Sequence, residues 1–129
     1  MRILIGYDGS EMSQRALSVA QKRAKALKAE LHVFTATATA NGDKPKAGQL
    51  QTGLKDAKMT CTACGIDCKI HMADHKQNPA ESILQYAADN AIEEIVIGLR
   101  KRSQLGKLLF GSTARQILLE AACPVLIVK

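Results

Sequence analysis

Glu94-Ile95-Val96-Ile97-Gly98 is a short apolar run closed by glycine, and its continuation decides the fold. It leads into the basic loop Leu99-Arg100-Lys101-Arg102-Ser103 and then Gly106-Lys107. After Leu108-Leu109-Phe110, Gly111-Ser112-Thr113 opens a new helical pattern. The series is a buried strand, a loop rich in glycine and cations, and a helix start bearing small hydroxyl residues. The first turn of a helix carries unpaired N–H groups, and its dipole favours negative charge. Strand, loop and helix start together suit a phosphate or a nucleotide.

The same alternation runs upstream. Arg2-Ile3-Leu4-Ile5-Gly6-Tyr7 reads as a first strand ending in the turn Asp8-Gly9-Ser10, with Ser10 placed to cap a helix. Ala16, Leu17, Ala20, Ala24 and Leu27 then recur at three- and four-residue intervals, the stripe of a helix of about five turns. Glu30 to Thr35 reads as a second strand. Residues 36–48 are small and polar, broken by Asn41-Gly42-Asp43 and Pro45, and read as a long mobile loop. A second helix from about Gln49 to Cys64 shows Leu50, Leu54, Ala57 and Cys61 on one side, with Gly65 as its stop. Ile66 to Met72 reads as a third strand.

Asn78-Pro79-Ala80-Glu81 is a helix start, with Asn to cap, Pro at the first helical position and Glu able to reach back. Ile83, Leu84, Ala87, Ala88 and Ala91 are expected on its buried face. The last helix spans about Ser112 to Ala122, where Pro124 forbids continuation, and Val125-Leu126-Ile127-Val128 is the fifth strand. Apolar strands without alternation, separated by amphipathic helices, imply a parallel sheet covered on both faces. With right-handed crossovers the result is a doubly wound α/β domain spanning residues 1–129, and its ligand crevice lies outside the carboxyl ends of the strands. Gly6-Tyr7-Asp8-Gly9 and Gly98 would flank that crevice if the first and fourth strands are neighbours.

The chain has 129 residues, enough for one domain with a real core. Tyr7, Phe34, Tyr86 and Phe110 are its only aromatics, so aliphatic residues must fill that core. Eighteen Lys and Arg against 12 Asp and Glu give a net charge of +6. A basic chain raises the question of nucleic acid, but helix-turn-helix pairing, zinc-finger spacing and an aromatic stacking platform are all missing from the sequence. No run approaches the roughly 18 apolar residues of a membrane span, and no secretory segment precedes the first strand. A soluble, cytoplasmic protein is expected. Cys61-x2-Cys64 with Cys68 and a nearby His71 or His75 invites a metal reading, yet no second CxxC is present. Free thiols are expected, together with Cys123.

Neither GxGxxG nor GxxxxGK[ST] occurs, so a dinucleotide fingerprint and a P-loop are both unsupported. No Ser/His/Asp or Cys/His set has catalytic spacing, and His32, His71 and His75 read as strand or surface residues. Three segments in order carry a resemblance: Ile3-Leu4-Ile5-Gly6-Tyr7-Asp8-Gly9-Ser10, Pro79-Ala80-Glu81-Ser82-Ile83, and Gly98 through Cys123-Pro124-Val125-Leu126-Ile127-Val128. Together they resemble the universal stress protein family over essentially the whole chain.

That resemblance implies a five-stranded parallel sheet in the order 3-2-1-4-5 and a homodimer paired through the last strands. One branch of the family binds ATP and carries the pattern Gly-x2-Gly-x9-Gly-Ser/Thr. Gly98, Gly111 and Ser112 match it, while Lys101 stands in place of the second glycine. A lysine removes a point of close backbone approach but supplies a charge to the same phosphate, as Arg100, Arg102 or Lys107 would. By the resemblance, Gly6 and Asp8 lie at the nucleotide, Asp8 accepting from the base or ribose and Val33 packing on adenine. Gly98, Lys101 and Gly111 line the phosphates, Ser112 and Thr113 donate to them, and Ile97 and Arg100 complete the binding set. The implied ligand is ATP, or ADP or AMP, with Mg²⁺ if a triphosphate is bound. The implied role is a regulatory module with a protein partner, at most a slow ATPase. The departure at Lys101 keeps open the branch that acts without nucleotide, by dimerisation and protein contacts alone.

Overall fold

The computed structural model describes residues 1–36, 47–73, 78–99 and 111–129, with 47–49 by backbone only. Five strands, β1 (Arg2–Gly6), β2 (Glu30–Ala36), β3 (Cys68–Ala73), β4 (Glu94–Gly98) and β5 (Val125–Val128), alternate with four helices. These are α1 (Glu11–Leu27), α2 (Ala47–Ala63), α3 (Pro79–Asp89) and α4 (Ser112–Glu120). The sheet is parallel in the order β3-β2-β1-β4-β5, with β1 between β2 and β4. The fold class and strand order therefore agree with the expectation. Among the described residues no helix is long and apolar enough to cross a membrane.

Two cores follow from the alternation of side chains across the sheet. On one face Ile3, Ile5, Leu31, Val33 and Val96 pack with Ala16, Ala20 and Ala24 of α1 and Leu50, Leu54 and Ala57 of α2. On the other, Leu4, Phe34, Ile95 and Ile97 pack with Ala80 and Ile83 of α3 and Ile117 of α4. The winding reverses between β1 and β4, which places the switch point where the two glycine-ended strands lie side by side.

Local chemistry sets the helix ends. Ser10 accepts from the Ser13 amide at 3.2 Å and starts α1, and Asn78 accepts from the Ala80 amide at 2.9 Å and starts α3. Helices α1 and α2 both stop on left-handed residues, Lys28 (φ 53°) and Gly65 (φ 74°). In each the next amide folds back on the helix, Ala29 to the Ala24 carbonyl and Ile66 to the Cys61 carbonyl, both at 2.8 Å. Three apolar expectations fail at such ends. Leu27 is 47% exposed in the last turn of α1, Ala88 is exposed, and Ala91 lies beyond α3 at φ 51°. Ala80 takes the buried place on α3 instead. Helix α4 ends at Glu120, two residues before the expected Ala122, and β3 begins at Cys68 rather than Ile66.

Two polar links join helices to the sheet. Arg23 of α1 grips Glu94 at the start of β4 through two bonds of 2.6 Å. His32 of β2 is buried between Tyr86 Oη on Nδ1 (2.7 Å) and Glu30 Oε1 on Nε2 (2.6 Å). Neutral His32 satisfies both in one tautomer, Nε2–H donating to the carboxylate and Nδ1 accepting from the phenol. Lys69 and then His32 hold the Glu30 carboxyl below its ordinary range. Tyr86→Phe leaves Nδ1 without a donor in a buried place and is expected to cost about 1–3 kcal/mol. Urea unfolding measures it, and a loss under about 0.5 kcal/mol would mean that water replaces the phenol.

Candidate functional site

At the carboxyl end of the sheet, β1 and β4 finish together. Ile5 is in register with Val96, so Gly6 and Ile97 stand at the same level of the rim. Beyond Gly6 the chain turns through Tyr7, Asp8 and Gly9, the last at φ 82°, where a side chain would be strained. Asp8 Oδ1 accepts from the Ser10 amide at 2.8 Å, which fixes the turn and hands the chain to the Ser10 cap of α1. Asp8 stays half-exposed at the rim.

Tyr7 is 4% exposed and packs in the core beneath α2. A Cβ on Gly53 of α2 would collide with its hydroxyl, so that glycine makes room for the phenol. Burial, then the neighbouring Asp8 and Asp56 charges, push the Tyr7 phenol above its ordinary value, so it stays a neutral donor.

Gly98 ends β4 and the following Leu99 amide is held by the Val128 carbonyl at 2.9 Å. A Cβ at Gly98 would sit 2.7 Å from the Met12 carbonyl oxygen and 3.0 Å from its carbon. The first turn of α1 therefore rests directly on the end of β4. At Gly6, by contrast, a Cβ would meet only Ile83 and Ile97 methyl groups at 3.6 Å.

Because α4 links two parallel strands, it runs opposite to them and its N-terminus stands at the same rim. Gly111 occupies the cap position and offers no side-chain bond to the first turn, which also lacks an acidic residue. Helices α1 and α3, by contrast, carry side-chain caps. Ser112 is exposed and Thr113 half-buried, so the start of α4 is open to an anion.

Gly6, Asp8, Ile97, Gly98, Gly111, Ser112 and Thr113 are thus gathered at one rim by the topology. Val33 is not. It pairs with Ile5 and Ile70 in mid-strand, fully buried in the core, because β2 continues three residues further to Ala36. The carboxyl end of β2 is formed by Thr35 and Ala36. Half-buried Ala36 ends the strand, and Thr35 is wholly buried with a hydroxyl that has no hydrogen-bond partner among the described residues. Arg100, Lys101, Arg102, Lys107 and His75 lie outside the described residues, as does most of the loop expected at 36–48.

A cavity of about 680 Å³ lies at the opposite end of the sheet, lined in part by Arg2, Lys25, Lys28 and Cys64. Among the described residues no group of three His, Cys, Asp or Glu is placed to hold a metal ion.

The universal stress protein family matches residues 1–129. A universal stress protein from Thermus aquaticus is 32% identical over 133 residues, covering 98% of this chain and 97% of the relative. The structure of a universal stress protein from Archaeoglobus fulgidus superposes with a TM-score of 0.81 at 28% identity, covering 100% of this chain and 98% of that one. Another structure from that organism, a complex with dAMP, gives a TM-score of 0.75 at 25% identity over 100% and 98% of the two chains. With the parallel sheet, its order and the glycine-ended strands in place, the chain belongs to the universal stress protein family.

Proposed function

We propose that this chain is a stress-response regulatory module that binds an adenine nucleotide in the crevice between the ends of β1 and β4. The observation that carries the reading is the uncapped start of α4 at the rim that also holds Asp8. An N-terminus free of acid and of its own cap attracts phosphate, and a half-exposed carboxylate at the same rim accepts from ribose or base. The complex of a related protein with dAMP supports the choice of adenine. In this reading Gly6, Asp8, Ile97 and Gly98 form the floor, and Gly111, Ser112 and Thr113 receive the phosphates. Arg100 and Lys101 supply counter-charge. Ala36, at the end of β2, takes the place beside the base that the resemblance gave to Val33. AMP, ADP and ATP all fit this chemistry, with Mg²⁺ accompanying a triphosphate.

The role is binding rather than turnover. Phosphoryl transfer needs a metal and a positioned nucleophile, and this reading assigns neither to the rim. We place the protein in the cytoplasm as a homodimer paired along β5. That strand bonds only to β4 within the sheet, its four residues are half-buried, and Leu119 of neighbouring α4 is 76% exposed. The same surface supports the second reading, a module that works through dimer and partner contacts without nucleotide.

Nucleotide-stripped protein titrated with AMP, and with ATP and Mg²⁺, tests the first reading. A ligand that binds only the native state adds about 2.7 kcal/mol at a hundredfold excess over Kd. A dose-dependent rise in melting temperature is expected, with sedimentation of the same sample giving the two-copy particle. No shift at millimolar adenine nucleotide would overturn nucleotide binding and leave the second reading.

A further inference from the structure

Three cysteines meet where α2 hands over to β3, at the end of the sheet away from the nucleotide crevice. Cys61 lies wholly buried in the last turns of α2, Cys68 opens β3 in the same core, and Cys64 between them is exposed. Gln21 Nε2 of α1 donates to Cys61 Sγ at 3.4 Å, and the Cys68 thiol shares a hydrogen bond with the same sulfur. Cys64 also lines the cavity of about 680 Å³ together with Arg2, Lys25, Lys28 and the first residue, Met1. One thiol thus faces a roomy pocket in which Arg2, Lys25 and Lys28 outnumber the acids Glu30 and Asp67, and a second, three residues back, is held by two donors.

We propose that Cys61 and Cys64 form a thiol–disulfide switch, with Cys64 as the entry thiol and its cavity receiving a small anionic disulfide. The turn is shaped for closure. The Cys64 amide is shared between the Thr60 and Cys61 carbonyls, each at 3.1 Å, which draws the last turn toward the tighter helix in which residues i and i+3 eclipse. Ordinary helical neighbours at this spacing are about 5–6 Å apart at Cβ. A disulfide needs about 3.5–4.5 Å. The tightened turn shortens the remaining approach.

The competing pair, Cys61 with Cys68, has no entry thiol, since both are buried and neither lines the cavity. Burial, and then Cys61, push the Cys68 thiol up to about 12, so it keeps its proton and serves Cys61 as a donor. The exchange balances without another reagent. The Cys64 thiolate attacks one sulfur of the small disulfide, whose S–S bond breaks and whose first half leaves as a thiolate that takes up a proton. Cys61 then attacks the Cys64 sulfur and passes its proton to the departing second half, which forms the protein disulfide and releases that half as a thiol. Two protein thiols are oxidised and one small disulfide is reduced to two thiols.

Fully reduced protein incubated with glutathione disulfide is the test, read by intact mass and peptide mapping. A product lighter by two hydrogens, linked Cys61 to Cys64, is expected, and it should melt several degrees higher until a reductant is added. Cys61→Ser should stop at a glutathione adduct on Cys64, and Cys64→Ser should block the reaction. The exposed pair Lys25→Gln and Lys28→Gln should slow the first step roughly tenfold with anionic glutathione disulfide but not with neutral hydroxyethyl disulfide. A lasting adduct on Cys64 in the unaltered protein, a Cys61–Cys68 link, or no reaction would each overturn the switch.

Discussion

Gly98→Val is expected to remove about 3 kcal/mol or more of stability, a large part of the 5–15 kcal/mol that holds a typical domain together. The cause is a backbone that cannot step aside. A side chain at Gly98 would begin 2.7 Å from the Met12 carbonyl oxygen, in the first turn of α1. A flexible neighbour could rotate away, but this one is a helical peptide group fixed by its own hydrogen bonds. Relief requires α1 to lift off the end of β4, which strains the Arg23–Glu94 link and the packing of Ala16 and Ala20. Gly6→Ala is the matched control at the same rim. Its new methyl meets side-chain methyls at 3.6 Å, so its effect should stay within about 1 kcal/mol. Urea unfolding of the two variants measures the contrast, with Gly98→Ala between them. Equal stability of Gly98→Ala and Gly6→Ala would show that the close approach does not constrain the sheet end.

This packing gives Gly98 a reason to be glycine that has nothing to do with phosphate. The first turn of α1 continues directly from Asp8 and Ser10, so the position that Gly98 leaves open also sets where the Asp8 carboxylate stands. A variant at Gly98 that loses ligand would therefore report displacement of the Asp8 turn before any lost contact with the ligand.

Features resting on local chemistry were legible in the sequence. Apolar runs between amphipathic stripes mark out the strands and helices, and the Ser10 and Asn78 caps and the Gly65 stop stand where turn chemistry puts them. The parallel winding was legible from the alternation of strands and helices, while the strand order that makes β1 and β4 neighbours came only from the family resemblance. The features that escaped depend on residues far apart in the chain. Val33 was named only through the resemblance, and its place in mid-strand rests on its register with Ile5 and Ile70. The seat of Gly98 on Met12, the space at Gly53 for Tyr7, and the link from His32 to Tyr86 each join segments tens of residues apart. No periodicity carries such information. Leu27, Ala88 and Ala91 failed for a different reason. The apolar stripe continues past the point where the helix has left the sheet.

Ser112→Asp is expected to move stability and nucleotide binding in opposite directions. Ser112 is the exposed first residue of α4, in a first turn that holds no acid. An aspartate there complements the helix dipole and should stabilise the protein by about 0.3–1 kcal/mol. The same charge occupies the field that a phosphate would use. Two unit charges 4 Å apart cost about 4 kcal/mol at an effective dielectric of 20. Even a third of that repulsion weakens the complex about tenfold, since 1.4 kcal/mol is a decade in Kd. The variant should therefore melt at or above the parent temperature while its shift with AMP or ATP shrinks by at least that decade in ligand concentration. Misfolding cannot produce this pair of results, because a damaged domain loses both. Adenosine, which lacks phosphate, supplies the remaining control. Its binding should pass through Ser112→Asp unchanged, whereas equal loss of adenosine and AMP would place the phosphate away from α4.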